Sequence, residues 1–497
     1  MMIWKSLALG LVLVLTPSCA SAQQPVQQTS PNEGAPRVAV TKHSGKFNSV
    51  DVRYTATVRE HFLRDEQGAA IATATTIAYV RDGVKDAGTR PVLFLFNGGP
   101  GASSSPLHMS AMGPMQRVGG SNSTEAKWII NPYSPIDFAD LVFIDPPGTG
   151  FSRAMPGKDA KRYYSVDGDA LAVESVVQEW LKANGREGSP RFLVGESYGT
   201  IRAAVMAKST KLKWNGVMLV AVAPDVSGRE MPFVASLPTM AAGAWYHNRI
   251  GRAGKTVEQF YDEALNFART DYVAALIRGA SLPAADKHRI AERMSKLVGL
   301  PVDLIEQENL RLSKNTWMFN LLKEPGGLRT GLLDVRVTAK LEPGALGDLD
   351  DPALGVVPPR AANVPAGAAP PTPQSVGAVE SPAVAAYIKQ DLKYQTAEPY
   401  YGVNFIVNSQ WSREGGGKAF EGLAAAMNAD PNLRLYWSGG LYDLTTPAYA
   451  AAYTFDQLGL PAGRVTGALF AGPHGVYEGE ENLARFNRSI RDFILKK

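Results

Sequence analysis

Cysteine is nearly absent. The 497 residues hold one, Cys19, inside the first apolar segment. No disulfide framework is available, so the fold must rest on packing. Histidine is scarce too, at six. The six are scattered, with no His-Glu-x-x-His and no cysteine pair, so neither a metal nor a cofactor is expected. No sign of charge dominates: 51 Lys and Arg stand against 47 Asp and Glu, a formal net charge of +4. Without a long basic run, nucleic acid is not an expected partner. No stretch beyond the N-terminus reaches ~18 continuous apolar residues, which argues against a membrane span. No repeat with a period of about 20–50 residues is present. What remains is ordinary globular material, 45% hydrophobic and 20% charged, with apolar mass for a sizeable core.

The N-terminus reads as an export signal over residues 1–22. Lys5 gives a positive start and "SLALGLVLVLT" (Ser6 to Thr16) a short apolar run. Ala20-Ser21-Ala22 then offers a small-x-small cleavage site before Gln23. An exported protein, periplasmic or secreted, is expected. Its mature chain would hold no cysteine. A second reading cleaves before Cys19 and attaches lipid to its sulfur, although Thr16 stands where such signals usually carry an aliphatic residue.

Gln23 to about Gly45 is rich in Gln, Pro, Ser and Thr, and residues 23–48 read as a flexible leader. "VDVRYTATVREHFLRD" and "AAIATATTIAYVRD" then form a hairpin through Glu66-Gln67-Gly68. "PVLFLFNGG", "DLVFIDPPG", "RFLVGES", "GVMLVAVAP" and "LRLYWSGG" are continuous apolar runs ending in turn residues, as strands buried on both faces do. Helical periods such as "ALAVESVVQEWLKA" (Ala170 to Ala183) lie between several of them. That alternation predicts an α/β class with a mostly parallel central sheet, whose ligands bind beyond the carboxyl ends of the strands. From Met231 the pattern turns helical, and Leu341 to Gly377 is a Pro/Ala/Gly-rich loop. The expected organisation is a core in two parts, residues 49–230 and 396–497. A helical cap insertion over residues 231–395 would interrupt it and lie across the strand ends.

"VGESYGT" (Val194 to Thr200) carries Gly195-x-Ser197-x-Gly199, between a strand and the helical "TIRAAVMAKS". This is the pattern of a nucleophile elbow, where a sharp turn lifts a serine hydroxyl above the sheet. Serine needs a general base, and the base an orienting carboxylate, in the chain order Ser, acid, His. His43, His61 and His108 precede Ser197, and His247 and His288 lie in the helical insertion. His474, in "LFAGPHGVYE", follows a final apolar run and is the candidate base. Asp443, in "YWSGGLYDLTTP", is the favoured acid, and Asp225, in "AVAPDVSG", the alternative. In "NGGPGASSS" (Asn97 to Ser105) the glycines let backbone N–H groups approach a ligand. One of these N–H groups with that of Tyr198 would form an oxyanion hole. A phosphate-cradling loop would need a Gly-Lys-Ser/Thr ending or GxGxxG spacing, and has neither.

"NGGPGASS", "NPYSPIDFADLVFIDPPGTGFS", "GESYG", "YDLTTP" and "GPHG", in this order over about Val92 to Val476, together resemble the serine carboxypeptidases. The chain is similar to a bacterial-type exported member. The resemblance implies an α/β-hydrolase fold with a helical insertion and removal of C-terminal residues from peptides. It implies Ser197, Asp443 and His474 as triad, Gly99 or its neighbour Gly98 with Tyr198 as oxyanion donors, and Asn97 and Glu196 as binders of the substrate's terminal carboxylate. Glu196 and that carboxylate would share a proton at lower pH, because like charges in contact raise one pKa. Three positions depart from the family. Ala102 replaces its Cys, Pro135 replaces its Trp, and the second Glu of the carboxylate clamp falls on Ala111 or Met112. His108 and Arg117 are nearby in sequence as substitutes.

The expected activity is therefore a serine-type carboxypeptidase acting on peptides through an acyl-enzyme. The incomplete clamp motivates an alternative, an esterase or acyltransferase on the same triad. A binding protein that retains the pocket without catalysis is the third reading.

Overall fold

The computed structural model describes residues 34–118, 126–224, 228–342, 345, 350–354, 377–412 and 418–496. The expected export segment, Cys19 and Asp225 lie outside the described residues. Nine strands make the main sheet: β1 (Val38–Phe47), β2 (Val50–Arg64), β3 (Ala70–Arg81), β4 (Val92–Phe96), β5 (Asp140–Asp145), β6 (Arg191–Glu196), β7 (Gly216–Val220), β8 (Arg434–Gly440) and β9 (Val465–Phe470). Their order across the sheet is β1-β2-β3-β5-β4-β6-β7-β8-β9. The first three pair antiparallel, and the six from β5 to β9 are parallel.

The central strands β4, β5 and β7 are buried at every position, as continuous apolar runs require when both faces are covered. One face packs Phe94, Leu193, Val217 and Leu435 against α1 (Val166–Ala183) and α2 (Tyr198–Ala207), through Val173, Val177, Ala203 and Met206. The other packs Leu93, Phe143, Val194 and Met218 against Phe486, Ile490 and Phe493 of the C-terminal helix, Glu480–Leu495. Ser165 caps α1, its hydroxyl accepting from the Gly168 N–H at 3.2 Å, which fixes the entry of the chain.

Helices Met231–Tyr246, Val257–Phe267, Val273–Arg278, Ala284–Val298, Val302–Gln307 and Lys314–Asn320 form a third apolar cluster. Trp317 is fully buried at its centre. The first helix passes so close that a Cβ on Gly243 would lie 2.5 Å from the Trp317 ring. Leu441, Tyr442 and Leu444, just past the end of β8, belong to the same cluster. The helical segment therefore packs where the parallel strands end.

Two expectations are corrected. The leader expected over residues 23–48 already contains β1, which pairs along its length with β2 from Val38↔Arg59 to Phe47↔Val50. Its alternating exposure is that of an edge strand, and the loop-forming composition stops before it. The expected end of the insertion at residue 395 falls too late. Val384, Tyr387 and Ile388 of the helix Pro382–Gln390, with Leu392 and Tyr394, pack into the sheet's own second face. The Pro/Ala/Gly-rich loop Leu341–Gly377 is mostly outside the described residues, and Asp351 within it is buried and hydrogen-bonded.

Candidate active site

The residue types at the end of β6 force a turn that few side chains tolerate. Ser197 has φ 58° and ψ −129°, a conformation that costs a non-glycine residue of order 1–3 kcal/mol and persists only where surroundings impose it. Small neighbours make it possible. A Cβ on Gly195 would collide with the Gly199 carbonyl, and one on Gly199 would lie 2.9 Å from the Phe96 carbonyl oxygen. The Ser197 N–H donates to Val220 O at 2.9 Å, and Thr200 Oγ1 donates to Ser197 O at 2.6 Å. Both bonds tie the turn to its neighbours, and Ser197 is left half-buried at the start of α2.

The loops after β8 and β9 bring an acid and a base together. The His474 Nδ1–H donates to Asp443 Oδ2 at 2.8 Å. Asp443 is wholly buried, and its Oδ1 also accepts from the Thr445 and Thr446 N–H groups at 2.9 and 3.0 Å. The Thr446 hydroxyl donates to Oδ2. Burial works against ionising Asp443, but the imidazole and the threonine donors outweigh it and hold its pKa below the usual carboxylate range. Burial likewise opposes charging His474. The Asp443 carboxylate, assisted by Glu196 and Glu478, overcomes that and holds the imidazole up at about 9.

Glu196, beside Ser197, is buried, and its Oε2 accepts from the Tyr477 hydroxyl at 2.9 Å. Burial lifts its pKa to about 7, against the attraction of His474 and the Tyr477 bond. Glu196 ends β6, and Asp443 and His474 follow β8 and β9, so these parallel strands bring the three to one end of the sheet. Among the described residues no hydrogen bond joins Ser197 Oγ to His474. Such bonds commonly tighten only in the Michaelis complex.

The glycine loop meets the elbow from the other side. A Cβ on Gly98 would run into the Tyr198 backbone nitrogen, and Gly99, at φ 100°, would place one 2.7 Å from Ala102 N. The Ala102 N–H donates to Gly98 O at 3.1 Å. Gly98 thus lies against the Tyr198 backbone nitrogen, with Gly99 next to it in the chain. Asn97 is buried beside them, its Oδ1 accepting from the Leu107 N–H at 3.1 Å. The substitutes for the second glutamate are not both at hand. His108 is buried in the core, bonded to the Tyr79 hydroxyl at 2.7 Å and stacked on Phe143. Arg117 sits on the separate strand Met115–Val118. Ala111 and Met112 are buried among apolar side chains.

Sequence reasoning missed three contributors. Tyr477 lies three residues past His474 in a segment with no motif. Arg202 reads as a surface position on α2, yet is fully buried. Leu333, in the insertion, accepts the His474 N–H at 2.8 Å through its carbonyl. No sequence pattern signals a backbone acceptor.

The sequence profile of the serine carboxypeptidase family matches residues 79–212. That segment holds Asn97, Gly98, Gly99, Glu196, Ser197 and Tyr198, while Asp443 and His474 lie outside it. The chain is 35% identical over 122 residues to the pheromone-processing carboxypeptidase KEX1 of Cryptococcus gattii, covering 23% of this chain and 17% of that protein. It is 29% identical over 133 residues to serine carboxypeptidase-like 21 of Arabidopsis thaliana, covering 26% of each. The match thus spans about a quarter or less of these relatives' lengths. Among solved structures, the prohormone-processing carboxypeptidase Kex1(delta)p of Saccharomyces cerevisiae superimposes with a TM-score of 0.54 at 15% identity, over 88% of this chain and 91% of that one. That likeness is one of fold, and the fold is that of the α/β-hydrolases.

Proposed function

We propose that this chain, a member of the serine carboxypeptidase family in the α/β-hydrolase superfamily, removes C-terminal residues from peptides with Ser197, His474 and Asp443 as its triad. The observation that carries the reading is the 2.8 Å bond between His474 Nδ1 and Asp443 Oδ2, beside an elbow that holds Ser197 at φ 58°. That bond fixes the tautomer that leaves Nε2 free to accept a proton.

Ser197 Oγ attacks the scissile carbonyl and its proton passes to His474 Nε2. The imidazolium is stabilised by Asp443, the same interaction that holds the imidazole up at about 9. The new oxyanion is met by the N–H of Tyr198 and of Gly98 or Gly99. His474 returns the proton to the leaving amine, and water releases the acyl group by the same steps in reverse. Asn97 and a protonated Glu196 hold the substrate's terminal carboxylate. As an exported protein the enzyme would act in the periplasm or outside the cell. Among the described residues no helix is long and apolar enough to cross a membrane.

The test is hydrolysis of a blocked dipeptide by wild type and Ser197→Ala. A loss of about 10³-fold or more is expected in the variant, and an unchanged rate removes Ser197 from the mechanism. One observation favours a second reading, an esterase or acyltransferase. Ala111 supplies no second acid to the clamp, and Glu196 is paired with a phenol instead. Ester turnover without peptide cleavage would select it.

A further inference from the structure

Arg202 is the least expected charge in the molecule. It lies five residues after Ser197 on α2, and its side chain is 1% exposed. Burying a guanidinium is costly unless every part of it is engaged. Its Nε donates to Asp169 Oδ2 at 2.6 Å, from the first turn of α1. The Tyr198 hydroxyl reaches the same oxygen at 3.4 Å. The guanidinium carbon stands 5.0 Å from the Phe96 ring and 5.4 Å from the Tyr198 ring. On its other side Nη1 donates to a backbone atom of the site, Asn97 O, at 2.7 Å.

That last bond has a geometric consequence. The Asn97–Gly98 peptide is trans, so its carbonyl and its N–H point in opposite directions. A cation that holds the Asn97 carbonyl on one side turns the Gly98 N–H to the other. Gly98 is packed against Tyr198 N, the second expected donor. The next peptide is pinned in the same manner, since Gly98 O accepts from the Ala102 N–H at 3.1 Å. Among the described residues neither the Gly98 nor the Gly99 N–H donates to another backbone group. Both carbonyls are tied down and both donors are left to the site.

We infer that Arg202, held by Asp169, is a positioning residue for oxyanion stabilisation: it orients the Asn97–Gly98 peptide, and through it the loop that faces the Tyr198 N–H. The inference rests on the serine-hydrolase reading above. A fork serves this purpose better than an ammonium, because one planar group must bond a carboxylate and a carbonyl at fixed angles. Preorganised donors act mainly on the transition state, so the role is read in kcat and in tetrahedral-adduct affinity, with ground-state binding nearly unchanged.

The experiment compares wild type, Arg202→Met and Arg202→Lys in hydrolysis of a blocked dipeptide and in inhibition by a peptidyl boronate, which forms a tetrahedral adduct with the serine. Melting temperatures are recorded for each protein. Expected are a fall in kcat of about 10- to 100-fold in Arg202→Met, KM within about twofold, and boronate affinity weakened in step with kcat. Arg202→Lys keeps a charge beside Asp169 but lacks the fork, so it stays folded and loses about tenfold in kcat. If Arg202→Met fails to fold, Arg202→Lys decides. A folded variant of either kind with wild-type kcat and boronate affinity overturns the proposal. So does a variant that loses kcat while the boronate binds undiminished, since the defect then lies elsewhere. Ser197→Ala separates this from the parent reading: if it turns over at the wild-type rate, the serine mechanism fails and the oxyanion role falls with it.

Discussion

The Tyr477 hydroxyl donates to Glu196 Oε2 at 2.9 Å, joining residues 281 apart in sequence. It gives Glu196 a donor where Ala111 offers no second carboxyl. The two partners differ in kind. A second carboxyl shares a proton with the first, whereas a phenol with its pKa raised far above the usual range only donates. Its bond stabilises the ionised form of Glu196 and opposes the burial that still holds the pKa up at about 7. Removing the hydroxyl should therefore raise Glu196 further. On the proposed reading the preference for free over amidated C-termini requires protonated Glu196, so in Tyr477→Phe it should persist to higher pH by about one pH unit, the worth of one hydrogen bond. The ratio of kcat/KM for the two substrates across pH measures it. An unmoved midpoint would show that Tyr477 only fills space.

Glu196 and His474 titrate against each other, and the sign of their coupling can be read. On the proposed mechanism His474 must be neutral to accept the proton, so activity should rise as pH rises through its pKa of about 9. The Glu196 carboxylate is one of the charges that hold that value up. Glu196→Gln removes it, so the acid limb of kcat/KM should move to lower pH. Amidated substrates isolate the effect, because they do not use the clamp. The free-to-amidated ratio of the variant should also lose its pH dependence near 7. A limb that stays in place would mean that Asp443 alone sets the imidazole.

Asp443→Asn keeps the size of the side chain and loses its charge. The imidazole then has no anion to fix its tautomer, and kcat should fall by about 10,000-fold with little change in KM. The pair also contributes to stability, with a definite sign. His474 is raised in the folded state, so the contribution is complete below the ordinary imidazole pKa of about 6.5 and fades as pH rises through about 9. The difference in melting temperature between wild type and Asp443→Asn should therefore shrink between pH 6.5 and 9. A difference that is constant over that window would assign the loss to the threonine hydrogen bonds instead.

Much of this was legible in the sequence, for physical reasons. Buried parallel strands need continuous apolar runs, and "LFLF", "LVFI" and "GVMLV" stand out at once. A strained elbow needs glycine on both sides of Ser197, and a histidine that must follow an acid is found by elimination among six. What stayed hidden shares a different property. β1 puts the polar Thr41 and His43 on its partly covered face and Lys42 and Ser44 on its open one, so this edge strand has no apolar alternation there to show. Arg202 is charged and follows a helical period, so it reads as solvated until Asp169, 33 residues earlier, is found against it. Tyr477 and Leu333 act through contacts between segments that carry no motif. Periodicity reports what an element buries, not which distant partner its polar groups find.

Asp351 tests how far the support of the site extends. This buried side chain accepts the Leu332 and Leu333 N–H groups on Oδ2 at 3.1 and 2.8 Å, and the Ala353 N–H on Oδ1 at 2.9 Å. The carbonyls of the first two residues then hold the loops that carry Asp443 and His474. Leu332 O accepts from Leu444 N–H at 2.8 Å, next to Asp443, and Leu333 O accepts from His474 N–H at 2.8 Å. One carboxylate thus anchors a short segment that carries the acid and the base together. Asp351→Ala leaves buried N–H groups unsatisfied, each costing about 1–3 kcal/mol, so the melting temperature should fall by several degrees. It should also lower kcat by about tenfold, since small displacements of a catalytic group are costly. Asp351→Asn retains one acceptor oxygen and should lie between the two. A variant that melts earlier but keeps kcat, assayed well below its transition, would show that the loops hold their geometry without the anchor.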